Sequence, residues 1–240
     1  MPVNPNQSDI QIALRSFLTT ILPANVTVLA GQANRVAEPA GADFVVFWPI
    51  RRNRIETNID LQADVQFTGN ISGTTLAVSA VAFGTLQLGA TIFGSGVTPN
   101  TTVVSFISGV NGGVGFYTVS NSQIVTSETM AGGVTTYMQP TEVTFQLDVH
   151  GPGSSDNAQI ISTLFRDDYA VQQFLSSGFD VTPLFADDPT QVPFINAEDQ
   201  FETRWIVEAH LQANQIVTLP QQYASQVNLG VVSVTVAYPH

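Results

Sequence analysis

The sequence predicts an α+β fold: an antiparallel sheet with two or three helices, carrying an inserted all-β small barrel or sandwich. Three observations predict it. Asn58–Phe67 and Glu142–His150 alternate strictly between apolar and polar residues, the period of a half-buried strand. Two other segments repeat apolar residues at helical spacing. Between the alternating strands, residues 68–139 hold a single Asp, Glu, Lys, Arg or His (Glu128) and 12 of the 18 glycines. Residues 1–67 and 140–240 therefore read as one discontinuous domain, and 68–139 as a β domain inserted at a hairpin tip, where insertions are tolerated.

The elements follow in order. Ser8 is placed to cap a first helix, with Gln11 three residues on. Ile10, Leu14, Phe17, Leu18 and Ile21 form its stripe, and Pro23 ends it. "NVTVLAG" and "ADFVVFWPI" read as short strands. In 58–67, Ile59, Leu61, Ala63, Val65 and Phe67 share one face. In 142–150, Val143, Phe145, Leu147 and Val149 face one way, and Glu142, Thr144, Gln146, Asp148 and His150 the other. The two strands are expected to pair as one hairpin. After "HGPG" a helix starts with Ser154 or Ser155 as its cap and Asp156 at its positive end. Ala158, Ile161, Leu164 and Phe165 form its buried stripe. "DDYAVQQFLSSG" continues helically and stops at Gly178. "DVTPLFADDPTQVPFINAEDQ", with three prolines, is expected to be a long loop. "RWIVEAHLQAN" alternates again, with Trp205, Val207, Ala209, Leu211 and Ala213 inward and Arg204, Glu208, His210 and Gln212 outward. "GVVSVTVAY" is expected as a last strand.

Inside 68–139, "TTLAVSAV", "TTVVSFISGV", "GFYTVS" and "QIVTS" are short apolar runs separated by glycine turns. Thr and Val favour a pleated surface. Such a module is kept in solution by hydroxyls and amides rather than by ions.

Composition narrows the function. The formal net charge is −12, with no lysine and seven arginines. Binding DNA through phosphate neutralisation needs clustered basic side chains, and this chain as a whole repels it. The local exception is "RRNR", where Arg51, Arg52 and Arg54 supply three of the seven positive charges. In so acidic a chain these arginines are expected at a subunit contact, paired with acids of a neighbouring copy. The sequence has no cysteine, which excludes disulfides and thiolate metal sites and suits a reducing cytoplasm. No apolar run approaches the roughly 20 residues of a membrane span, and the N-terminus lacks a secretory signal pattern. No membrane association is expected.

No catalytic chemistry is expected. His150, His210 and His240 are the only imidazoles, and all three read as solvated surface residues. No HxH or HExxH spacing points to a metal. Asp167–Asp168 sits at a helix junction and Asp187–Asp188 opens a turn before Pro189, so neither suggests carboxylate or Mg²⁺ chemistry. No GxSxG occurs, and "GVNGGVGFY" lacks the lysine and helix of a phosphate loop. The expectation is no enzyme, no cofactor and no metal. Phe83, Phe93, Phe106, Phe116, Tyr117 and Tyr137 are read mainly as core, with sugar stacking as the competing use.

With 68–139 set aside, the remainder resembles the neck and tail-terminator (head–tail connector) proteins of phages. The matching stretches are "ADFVVFWPIRRNRIETN", "EVTFQLDVHGPGSSDNAQIISTLFRDDYA", "FINAEDQFETRWIVEAHLQANQIVTLPQQYA" and "VNLGVVSVTV". Their order is similar to the family's: helix, strands, a long hairpin, "D-x-x-GP" into a helix, then "RW" on a long strand. The resemblance covers roughly 160 residues and carries no catalytic residues. The charge-poor stretch is similar to β modules of phage tail-fibre and surface proteins, an addition that a terminator core does not need. The resemblance implies a homo-oligomeric ring, commonly of six copies, in the virion neck, assembled in the host cytoplasm. Its implied partners are the tail tube, sheath proteins where the tail has a sheath, the head-proximal connector, and DNA that passes without specific binding. The alternative is a carbohydrate- or receptor-binding virion protein acting through the β module. A secreted adhesin is disfavoured by the missing signal pattern.

Overall fold

The computed structural model describes residues 3–31, 43–195 and 201–221. The chain divides into two compact units, Met1–Asp60 with Tyr137–Val217, and Leu61–Thr136 with Thr218–His240.

The first unit is α+β. Helix α1 (Gln7–Ile21) buries Ile10, Ala13, Leu14, Phe17 and Leu18 on one stripe. Its cap is Asn6 rather than Ser8. The Asn6 carboxamide oxygen accepts from the backbone N–H groups of Ser8 and Asp9, and Asp9 reciprocates at the Asn6 N–H. The box is closed by an acid three residues after the cap, shifted two positions from the expected pair. Strands β1 (Thr27–Ala30) and β2 (Phe44–Arg54) pair in parallel, with Thr27 opposite Phe44. The sheet is therefore mixed, not purely antiparallel.

Helix α2 (Ser154–Phe165) starts after Gly153, with no side-chain cap. Ser154 lies within it, fully buried, and its hydroxyl donates to the Thr203 carbonyl at 3.3 Å. The Gly153 N–H instead meets the Asp43 carboxylate at 2.8 Å, so a distant acid serves the helix start. Helix α3 (Asp168–Ser176) is capped by Asp167, which accepts from the Tyr169 N–H at 2.9 Å. It ends before Gly178, whose φ of 75° is the left-handed conformation that glycine adopts without strain.

The expected loop after Gly178 contains β7 (Val181–Ala186), β8 (Thr190–Gln191) and β9 (Phe194–Ile195), the last paired with β10 (Phe201–Glu202). β7 lies against β11 (Arg204–Pro220) with Leu211 opposite Pro183, beside a register irregularity at His210/Leu211. A proline next to such an irregularity is compatible with pairing, so Pro183 sits within β7, while Pro189 and Pro193 fall between the short strands.

β6 (Gly115–His150) contributes its last residues to this unit. Residues 141–150 pair antiparallel with β2, from Arg54 opposite Thr141 to Phe44 opposite His150. In sheet order β6 lies between β2 and β11. β3, which holds 59–67, does pair with β6, but the arm opposite residues 141–150 is β2 rather than the expected 58–67. The core lies under one sheet face, where Val45, Phe47, Val143, Phe145, Leu147, Val149, Val207, Ala209, Leu211 and Ala213 meet the helices. Phe17, Phe165 and Phe174 join α1, α2 and α3, with ring centroids 5.5, 5.6 and 6.0 Å apart. Such pairs add about 0.5–1.5 kcal/mol each beyond their burial.

The second unit is all β among its described residues, with a separate core built on Val65, Phe67, Ile71, Leu76, Ile92, Val103, Tyr117 and Met130. β3 (Ile59–Gly84) turns back on itself near Gly73, whose φ is 63°. The Ser79 hydroxyl donates to the Thr68 carbonyl at 3.1 Å across that fold. A Cβ on Gly84, where φ is 78°, would come 1.9 Å from the Asp64 carbonyl oxygen. Of the predicted inward face of 58–67, Val65 and Phe67 are buried, while Ile59 and Leu61 are exposed. β4 (Thr91–Phe93) and β5 (Val103–Gly109) pair antiparallel with the earlier part of β6. The expected last strand, 230–238, and His240 lie outside the described residues.

Candidate functional site: the polar face of the first unit's sheet

Alternation places Glu142, Thr144, Gln146, Asp148 and His150 of β6, and Arg204, Glu208 and His210 of β11, on the sheet face opposite the helical core. The sequence suggests a solvated face. The structure encloses much of it: Thr144, Asp148 and His150 are buried, and the His210 side chain is only 13% exposed. The surface reading of His150 and His210 is therefore wrong. Aromatic rings cover them. Phe44 stacks on His150 at 4.6 Å, nearly coplanar at 7°, and Phe185 stacks on His210 at 4.2 Å and 14°. Phe44 is the ladder partner of His150, and Phe185 that of His210. Cross-strand neighbours on one face are close enough for such contacts, but the sequence does not reveal which strands adjoin.

Two clusters form on this face. In the first, Asp148 is the centre. One oxygen meets the Arg204 guanidinium, and the other accepts from the Gln146 carboxamide at 2.8 Å. His150 Nε2 lies 3.9 Å from the same carboxylate, and His150 Nδ1 is 2.9 Å from Glu202. A buried charge persists when its counter-charge and its remaining hydrogen bonds are both supplied.

In the second, His210 is the centre. Its Nδ1 lies 2.6 Å from the Glu142 carboxylate and 3.3 Å from the Thr144 hydroxyl. Its Nε2 is buried without a hydrogen-bond partner among the described residues, and Asp187 stands 3.7 Å away. The Asp187 N–H donates to the Glu208 carbonyl at 2.8 Å, fixing the two acids side by side. Single ligand atoms of Asp187, Glu208 and His210 lie within 4.8 Å of one another. Asp188 instead pairs with Arg166 at 3.0 Å on the open surface.

The arginines singled out by the sequence lie elsewhere in this unit. Arg51, Arg52 and Arg54 end β2 and are exposed. Arg52 and Arg54 line a cavity of about 280 Å³ with Tyr137, Gln139, Thr141 and Gln215; Arg51 is not among its lining. Arg52 donates to Gln215 at 2.6 Å and to Gln7. Arg54 donates to Asn58 at 3.2 Å and to Gln139 at 3.4 Å. All these partners are neutral. Among the described residues no ion pair to a carboxylate involves Arg51, Arg52 or Arg54.

The aromatics of the β-rich stretch divide. Tyr117 is fully buried, and its hydroxyl donates to the carbonyls of Val110 (3.0 Å) and Gly113 (2.8 Å). Burial pushes its phenol pKa up. Phe106 packs on its ring at 5.4 Å. Phe83 and Phe116 are exposed.

No described helix is long and apolar enough to cross a membrane. A search of curated proteins finds no match. The family model described as phage neck terminator protein matches residues 95–237. That span starts inside the charge-poor stretch, so residues 95–139 fall within it, where the resemblance drawn above treated the whole stretch as an addition. It also leaves the quoted "ADFVVFWPIRRNRIETN" outside. With more than half of its length matched, the chain belongs to the phage neck terminator protein family, whose members are structural components of the virion neck.

Proposed function

We propose that the chain is the repeating subunit of a closed ring of six copies in the neck of a tailed phage. The ring caps the finished tail tube, contacts the tube and sheath proteins, and presents its other side to the head-proximal connector. DNA passes through its centre without specific binding. Copies are assembled in the host cytoplasm, in keeping with a chain that has no cysteine. The role is structural, with no catalysis.

Family membership carries this reading, and the charge distribution supports it. Arg51, Arg52 and Arg54 are three exposed cations in a chain of net charge −12, and the hydrogen-bond partners of Arg52 and Arg54 among the described residues are neutral. A neighbouring copy offers the missing carboxylates, and a closed ring repeats that contact at every interface. Of the 19 acids, only Asp64 and Glu128 lie in the second unit, so nearly all the negative charge belongs to the first. An acidic channel wall repels phosphate and lets the genome slide. The β module, carried as an inserted barrel or sandwich with hydroxyls in place of ions, sits at the ring's periphery.

Native mass measurement of the assembled protein, followed by imaging of the virion, tests the proposal. Six copies per particle, seen at the top of the tail with acids lining the channel, are expected. A basic inner wall, or residues 68–139 plugging the channel, overturns it. A trimer located on a fibre favours receptor binding through the β module instead.

A further inference from the structure

From the second cluster on the sheet's polar face, we propose a binding site for one divalent transition-metal ion, with His210 Nε2 and the carboxylates of Asp187 and Glu208 as its protein ligands. The imidazole is already prepared for the task. Glu142 sits 2.6 Å from Nδ1, close enough to hold the proton there and leave the Nε2 lone pair free. A carboxylate behind a metal-binding histidine fixes its tautomer and ring orientation in this way. Nε2 is sealed from solvent and has no hydrogen-bond partner among the described residues. At 3.7 Å, Asp187 is too far to accept a hydrogen bond from it and near enough to share an ion with it. A buried nitrogen without a partner costs free energy, and a bound cation removes that cost.

Electrostatics points the same way. Glu142, Asp187 and Glu208 crowd one imidazole, while Arg166 is engaged with Asp188 and the Ala186 carbonyl and Arg204 with Asp148. A divalent ion compensates that charge.

The geometry needs a small closure. Two ligands at about 2.1 Å from a shared ion lie at most about 4.2 Å apart. Asp187 is already 3.7 Å from Nε2, inside that limit, and all three ligand atoms lie within 4.8 Å of one another, so a shift of a few tenths of an ångström closes the set. One nitrogen and two oxygens, with water completing the shell, favour Zn²⁺ or Mn²⁺ over an all-oxygen Mg²⁺ site. The sequence hid this set because its members come from β11 and the residue after β7, oriented by a residue of β6. Only Glu208 and His210 share a short spacing.

The test uses the full untagged chain, freed of metal by chelator and titrated with Zn²⁺ in a calorimeter. One Zn²⁺ per chain and a rise of several degrees in Tm are expected. Asp187→Asn and Glu208→Gln each weaken binding at least 10-fold with the apo Tm retained. Glu142→Gln, which removes the positioning carboxylate, weakens it by about 10- to 100-fold. Asp188→Asn, in the neighbouring Arg166 pair, and His240→Ala leave it unchanged. The site is overturned by the absence of Zn²⁺ binding, by binding that survives both ligand changes, or by loss with His240→Ala. Binding of Mg²⁺ in preference to Zn²⁺ overturns the nitrogen ligand.

Discussion

Replacing Asp148 by alanine tests whether the polar face of the first unit's sheet is a structural network or a passive surface. Asp148 is 4% exposed, and its carboxylate meets the Arg204 guanidinium and the Gln146 carboxamide. Removing one member of a buried ion pair costs about 3–5 kcal/mol, because the other charge keeps its desolvation without its counter-charge. Arg204 is 21% exposed at its side chain and has further interactions, and both water and those contacts recover part of that loss. A cost of about 2–4 kcal/mol follows. At about 2–4 °C per kcal/mol for a chain of this size, the Tm of the first unit falls by roughly 5–15 °C. Differential scanning calorimetry reads the shift. The companion double variant, Asp148→Leu with Arg204→Met, removes both charges and recovers most of the loss, since well-packed apolar groups replace a buried pair at little cost. A fall below about 2 °C for Asp148→Ala, or a double variant less stable than either single one, refutes the reasoning.

Three further outcomes are expected. Changing Arg51, Arg52 and Arg54 together to Ser weakens assembly by at most about 3 kcal/mol per contact, exposed pairs contributing about 0–1 kcal/mol each; the monomer Tm stays put, and an unchanged ring mass at low protein concentration refutes the contact. Tyr117→Phe destabilises the second unit by about 1–2 kcal/mol, through the lost bonds to Val110 and Gly113. Because the Tyr117 pKa is raised above 10.0 in the fold, its contribution is complete below pH 10 and is lost as pH climbs through the folded value; denaturant melts show this decline in the wild type and less of it in the Phe variant. Finally, the Ile55 N–H donates to the Pro140 carbonyl at 3.1 Å, and Arg54 lies opposite Thr141. Excising residues 56–139 and rejoining Ile55 to Pro140 through Asn-Gly therefore leaves a cooperative α+β unit by circular dichroism and calorimetry. Excising 68–139 instead strands Val65 and Phe67, both 1% exposed in the intact chain, and gives an aggregating product; equal behaviour of the two products refutes this choice of boundary.

The sequence by itself determined what repeats locally. Helical spacing marked the buried stripes of α1 and α2, and alternation assigned the two faces of β11 and of 142–150 correctly. Those patterns are properties of a single segment and need no partner. Charge and glycine content marked 68–139 as distinct in composition, and the quoted stretches pointed to the neck terminator family. Everything that depends on which segments adjoin was decided only by the tertiary structure. The arm paired with 142–150 is β2 rather than 58–67, because sheet neighbours are chosen by packing across the whole unit. Asp43 serves the start of α2 from 110 positions away. Asp187 reads as a turn residue in sequence, yet it stands beside His210 and Glu208 because β7 pairs with β11 in spite of Pro183. The histidines look solvated from their polar neighbours along the strand; Phe44 and Phe185 cover them from the next strand over. A strand's own period fixes the direction of each side chain, but burial is set by what the neighbouring strands place above it.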